Sequence, residues 1–261
     1  MRRITVVVAA LAAVSSVQVY ATPIMGLYNT GAAAANTTGV VDTNYHFAAV
    51  PGQFTPKGSS TPVTYSAGTA QGTSSAGVVG CTGGTDCYGV TGTYKAWTAN
   101  AAPASMWLAP TANTGETYDA QATGSYTWTL DFNLSSFDSY KTNFSAKWAS
   151  DNEGYVTLNG KTLTGSTIYD GYPAFQSFTS FSDLSNGQNA LVMGQNQLVF
   201  HVFNVGQPTA NPTGINVDFL SSNVIPAPVP ASALLFVSAM GALVVFGRKR
   251  NQSGSVNSAA A

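Results

Sequence analysis

Trp148, Asp151, Asn152, Tyr155 and Asn159 fall within one short stretch, and Tyr169, Asp170 and Tyr172 follow a few residues later. Together they supply what sugar recognition needs: an aromatic face for the apolar side of a pyranose, and short polar groups to fix its hydroxyls. The candidate ligand-binding set is Trp148, Asp151, Asn152, Tyr155, Asn159 and Tyr172. Each also has a plainer role. A tryptophan in this position suits a core, and Asp151, Asn152 and Asn159 suit turns, because Asx side chains hydrogen-bond their own backbone. Asp151, Asn152 and Glu153 offer oxygens of the kind Ca2+ takes, but a spaced Asp-x-Asp-x-Asp loop is missing, so no metal or other cofactor is assigned.

Catalytic chemistry has little to draw on. The chain has two histidines, His46 and His201, and His201 lies in the middle of a predicted strand, where packing explains it. The nearest approach to a nucleophile elbow, Thr64-Tyr65-Ser66-Ala67-Gly68, begins with Thr where Gly is required. No His-Glu-x-x-His and no phosphate-cradling loop occur. A glycosidase needs two carboxylates flanking a cleft, and Asp151 with Asp170 is the pair the sequence offers. The chain is read as a non-enzyme.

The elements that must position these residues read as strands. Tyr126-Thr-Trp-Thr-Leu-Asp-Phe132 alternates apolar and polar residues, the mark of a half-buried strand, with Trp128 and also Trp107 assigned to the core. Phe144–Trp148 and Tyr155–Leu158 follow, with a turn at Asp151–Gly154 between them and another at Asn159-Gly160. Gln197–Asn204 has apolar residues on both faces, and Ile215–Phe219 alternates. Earlier candidates are Tyr45–Val50, Pro62–Tyr65 and Gly89–Trp97. No sustained helical period and no tandem repeat appear between Thr22 and Ser222, so the expectation over 22–222 is all-β, with room for one large β-sandwich or two small domains.

The two ends have a different character. Met1-Arg2-Arg3, the apolar Ile4–Val17 and the small residue Ala21 form a secretory leader over 1–21. Near the other end, Pro226, Pro228 and Pro230 precede an uncharged run of 16 residues, Ala231–Phe246, closed by Arg248, Lys249 and Arg250. A helix spans a hydrocarbon core with about 20 residues, so this run crosses with help from its flanks, and the cations keep that end cytoplasmic. Asn251–Ala261 is then a disordered cytoplasmic tail. All eleven carboxylates lie between Asp42 and Asp218 with only five of the ten cations, a net of about −6 for the exported part. That argues against nucleic acid or anionic lipid as a partner, since both need a basic face. Cys81 and Cys87 in an exported chain read as one disulfide closing a small loop.

The Pro-rich lead-in, short apolar helix and basic end resemble the PEP-CTERM sorting signal of Gram-negative bacteria that make exopolysaccharide, with Pro226-Ala227-Pro228 where that family has Pro-Glu-Pro. The resemblance implies an exosortase-type processing enzyme as partner. It places the chain at the cell envelope, the outer surface or the extracellular matrix, held transiently or stably in the inner membrane by its C-terminal helix. Met106-Trp107-Leu-Ala-Pro110, Tyr126-Thr-Trp128, Lys147–Asn152, Val156–Gly160, Gly194–Leu198, Val202–Asn204 and Gly214–Val217, with Gly26–Gly31 and Val41–His46 before them, are similar to galactose-binding-like jelly rolls of exosortase-sorted proteins. The resemblance covers nearly all of 22–222, which implies a single jelly-roll β-sandwich there, weak binding to an envelope glycan or exopolysaccharide and a role in biofilm or floc. The alternatives are a purely structural or adhesive surface protein and, further off, a secreted glycan-active enzyme.

Overall fold

A computed structural model describes residues 23–69, 87–92, 96–100, 105–113, 116–134, 142–169, 174–183, 190–209 and 211–224. The leader, Cys81, Asp170, Tyr172 and the whole C-terminal signal from Ile225 onward lie outside the described residues. Among those described, no helix is long and apolar enough to cross a membrane.

Twelve strands carry the chain: β1 (Val41–Ala49), β2 (Gly52–Phe54), β3 (Val63–Ala67), β4 (Cys87–Gly92), β5 (Trp107–Ala109), β6 (Gly124–Leu134), β7 (Asn143–Asp151), β8 (Glu153–Leu158), β9 (Lys161–Thr162), β10 (Thr179–Ser182), β11 (Gly194–Asn204) and β12 (Gly214–Asn223). One turn of 3-10 helix, Ala174–Gln176, is the only helical element described. The main ladder runs β10-β7-β12-β5-β4-β1-β6-β11-β8-β9, and β2 and β3 form a hairpin attached to β6 by a short parallel pairing.

That ladder folds over on itself, so the two halves face each other. The alternation in β6 buries Tyr126, Trp128, Leu130, Phe132 and Leu134 on one side, and β11 buries Leu198, Phe200 and Val202. Against them come Phe144, Ala146 and Trp148 from β7, with Trp148 packing on Phe200 at 5.6 Å between ring centroids and Phe181 of β10 at 6.3 Å from the same ring. Fully buried large rings supply most of the area that leaves water. A second, smaller cluster covers the outer face of β7 and β5, where Trp97 stacks on Trp107 at 4.4 Å beside Ala149 and Phe175.

The strand expectations hold with shifted bounds. β1 begins at Val41 rather than Tyr45, and β4 ends at Gly92, with Trp97 in a loop where it serves as a lid on Trp107. The predicted turn over Asp151–Gly154 is tighter: Asp151 ends β7, Glu153 begins β8, and Asn152 alone lies between. Four short strands, β2, β5, β9 and β10, escaped the pattern, since two to four residues are too few to show a period.

Candidate functional site

The hairpin tip that carries most of the predicted ligand set is closed. Trp148 is fully buried, and its indole N–H donates to the Ser166 carbonyl at 2.8 Å. Gly154, opposite on β8, admits that ring: a Cβ there would fall 2.3 Å from the His201 carbonyl oxygen and 2.8 Å from the Trp148 ring. Both Asp151 carboxylate oxygens are occupied, Oδ2 by the Trp97 indole N–H and Oδ1 by the Asn152 amide, each at 2.7 Å. Burial pushes the Asp151 carboxyl up to about 7, against the lowering effect of the Trp97 hydrogen bond. Asn152 accepts from the Val205 backbone N–H at 2.8 Å, and its own carbonyl accepts from Ser150 at 2.7 Å. Asn159 donates to the Ala190 carbonyl and to Asn196 Oδ1, and accepts from the Gln197 N–H. As packed, Trp148, Asp151 and Asn152 offer no surface to a ligand, and Asn159 is committed to a turn. Of the predicted set, Tyr155 is the residue that reaches the surface of a cleft; Tyr172 and the Asp170 of the suggested carboxylate pair lie outside the described residues.

Tyr155 lies on the outer face of β8, because its inward neighbours Gly154 and Val156 take the core side. Directly across the ladder sits His201, and the two rings stack at 4.5 Å and 18°. Phe203 comes next along the same face, 6.0 Å from Tyr155. The β2–β3 hairpin folds onto this row: Phe54 and Tyr65 lie 5.1 and 4.9 Å from Phe203. Tyr169 completes the group, 5.9 Å from Phe54 and 44% exposed.

Between hairpin and sheet opens a cleft of about 300 Å³ lined by Gln53, Phe54, Thr55, Pro62, Tyr155, Thr162, Thr167 and Tyr169. Its walls combine aromatic rings with threonine hydroxyls and one amide. Gln53 donates through Nε2 to Thr64 at 3.3 Å, which orients the amide along the hairpin. Among the described residues, the hydroxyls of Tyr155 and Tyr169 have no hydrogen-bond partner. Burial raises the Tyr155 phenol, so it stays a neutral donor and acceptor. The same burial drives His201 down to about 4. Its Nε2 pairs with Thr157 Oγ1 at 3.2 Å, so the ring is a neutral backing for Tyr155.

The described residues that line the cleft include no carboxylate, histidine or cysteine. Nowhere among the described residues do three or more His, Cys, Asp or Glu side chains converge as a metal set would. Such a lining can stack on a ring, donate and accept hydrogen bonds. The sequence pointed to Tyr155 and noted Tyr169, but it missed Gln53, Phe54, Thr55, Pro62, Thr162 and Thr167. One strand of the hairpin was foreshadowed by the candidate Pro62–Tyr65, and the signal for the other was Phe54, a lone aromatic in the Gly- and Pro-flanked stretch Gly52–Pro56.

A second arrangement holds the hairpin in place. Asp119 accepts from Thr69 through both its N–H (2.8 Å) and its hydroxyl (2.7 Å), from the Tyr126 hydroxyl (2.7 Å) and from Asn204 Nδ2 (3.0 Å). Gly124 is required beside it, since a Cβ there would fall 2.3 Å from the carboxylate.

No protein-family model and no curated protein matches the chain. Among solved structures, a family 35 carbohydrate-binding module from an environmental isolate aligns with 13% identity over 54% of this chain and 89% of that one, at a TM-score of 0.26. The sandwich described above rests on strand register and packing, independently of that alignment.

Proposed function

We propose that this chain is a non-catalytic surface protein whose β-sandwich binds a neutral glycan in the cleft between the β2–β3 hairpin and β8. The observation that supports this reading is Tyr155, propped by His201 and lining, with Tyr169, a cleft rich in hydroxyl groups. The volume lies at the small end of ligand sites, and the walls are aromatic with a few polar groups, which suits one or two sugar rings. The acidic balance between the termini favours an uncharged glycan over an acidic one. A shallow cleft of this size gives affinities from millimolar to tens of micromolar, about −4 to −6 kcal/mol.

Leader and C-terminal signal complete the reading: the chain is exported, presented outside the inner membrane by the run 231–246, and processed there by an exosortase-type enzyme. Isothermal titration of the purified chain against neutral and acidic oligosaccharides tests the glycan reading. Expected is weak binding to neutral sugars that falls at least tenfold in Tyr155→Ala and in Tyr169→Ala. No heat at millimolar sugar, or binding indifferent to both substitutions, removes it.

A further inference from the structure

At the opposite end of the sandwich from the β7–β8 tip, the two ends of the described chain come together. The Ile24 N–H donates to Ser222 Oγ at 3.0 Å, and Gly26 presses so closely on β6 that a Cβ there would lie 2.8 Å from the Phe132 Cβ. Exposed apolar side chains collect here: Met25 is 75% exposed, and Leu220, 55% exposed, lines a groove of about 410 Å³ with Ile24, Leu27 and Phe219. Phe132 pairs in register with Asn196, so the loop before β11, with Met193 73% exposed, belongs to the same end. Asn196 pins that loop by accepting from the Val192 N–H, and Asn159 ties it to the β8–β9 turn, where Lys161 is exposed. Single exposed apolar residues are ordinary, but several large ones at one end of a domain mark a contact surface.

The sequence says what that surface meets. Only six residues separate Val224 from Ala231, where the uncharged run begins. Fully extended, they reach about 25 Å, less than the length of β6, whose eleven residues span about 36 Å. We propose that this end of the sandwich rests on a lipid bilayer, with Met25, Leu220 and Met193 at the headgroup boundary and Lys161 toward the phosphates. The proposal rests on the reading of 231–246 as a membrane run. Methionine and leucine side chains gain by leaving water there, and the Lys161 ammonium can meet a headgroup phosphate without any basic face.

The test uses the full chain in phosphatidylethanolamine–phosphatidylglycerol vesicles carrying brominated lipid, with a tryptophan added at Leu220 or, as the distant control, at Val63 on the exposed hairpin. The four native tryptophans serve as a common background. Expected is strong quenching of the added emission in Leu220→Trp and none in Val63→Trp. Flotation with the vesicles but no quenching at Leu220 overturns the docking while leaving the membrane run standing. Equal quenching at both positions lays the sandwich on its side and overturns it too. Failure to float removes the membrane reading and the proposal with it. A dimer in detergent that Leu220→Asp disperses assigns the surface to a second copy of the chain and overturns lipid as the occupant.

Discussion

The stretch Trp148–Asn152 and the residues Tyr155 and Tyr169 are built from the same kinds of side chain, yet one closes on itself and the other opens to solvent. At the β7–β8 tip, three side chains meet partners from elsewhere in the fold: Asp151 takes Trp97, Asn152 takes Val205, and Trp148 finds Ser166. Three residues further on, Tyr155 is braced on one side by His201 and lines the cleft. An aromatic ring and an Asx residue are equally at home capping a turn and grasping a sugar. What separates the two uses is whether the remaining hydrogen-bonding capacity is spent inside the fold.

The sharpest way to test that division is to truncate on each side of it. Trp148→Ala removes a fully buried ring and is expected to cost about 3–5 kcal/mol, read as a drop in thermal or denaturant midpoint. If that variant stays as stable as the parent, the tip is not the closed region described. The next effect, no more than a few kcal/mol, is in pH dependence. Asp151 has its carboxyl raised to about 7 in the fold. The folded state therefore holds a proton the unfolded chain has given up, and stability falls as pH rises from about 4 to about 7. His201 is lowered to about 4; there the unfolded chain binds the extra proton, and stability falls as pH drops from about 6.5 to about 4. The two slopes oppose each other. Asp151→Asn is expected to expose a rise in stability between pH 4 and 6.5, and His201→Gln a continuous decline from pH 4 to 7, both by denaturant titration at fixed pH.

Asn152→Ala strands the Val205 N–H and is expected to cost about 1–3 kcal/mol without touching glycan affinity. Smallest in stability is Tyr169→Ala: at a ring so exposed, a loss under about 1 kcal/mol is expected, alongside the loss of sugar binding. A large stability loss at Tyr169 with unchanged binding would reverse the comparison.

The core was legible because long alternating strands announce themselves. Tyr126 to Phe132 and Leu198 to Val202 show which side faces inward, and Trp107 and Trp128 are buried as their patterns implied. The cleft was only half legible. Tyr155 could be placed on the outer face of a strand, but its partners on β2 come from about a hundred residues earlier. Nothing local in Gln53, Phe54 and Thr55 says which sheet they will cover. The Asp119 anchor was invisible for the same reason: its four donors sit on Thr69, Tyr126 and Asn204, and a lone aspartate in a loop carries no sign of them. At the tip, the Trp and Asx residues were visible but ambiguous, and burial decided them.

The clamp on Thr69 has a bearing on how the molecule tolerates change. It fastens the β2–β3 hairpin at the last residue before the Gly-, Ser- and Thr-rich stretch that leads to Cys87. Lengthening, trimming or decorating that stretch pulls first on a carboxylate rooted in two long strands, and the wall of the cleft is shielded from the strain. Variation there is thereby decoupled from the shape of the cleft, which lets the protein's outline diverge while that wall stays put.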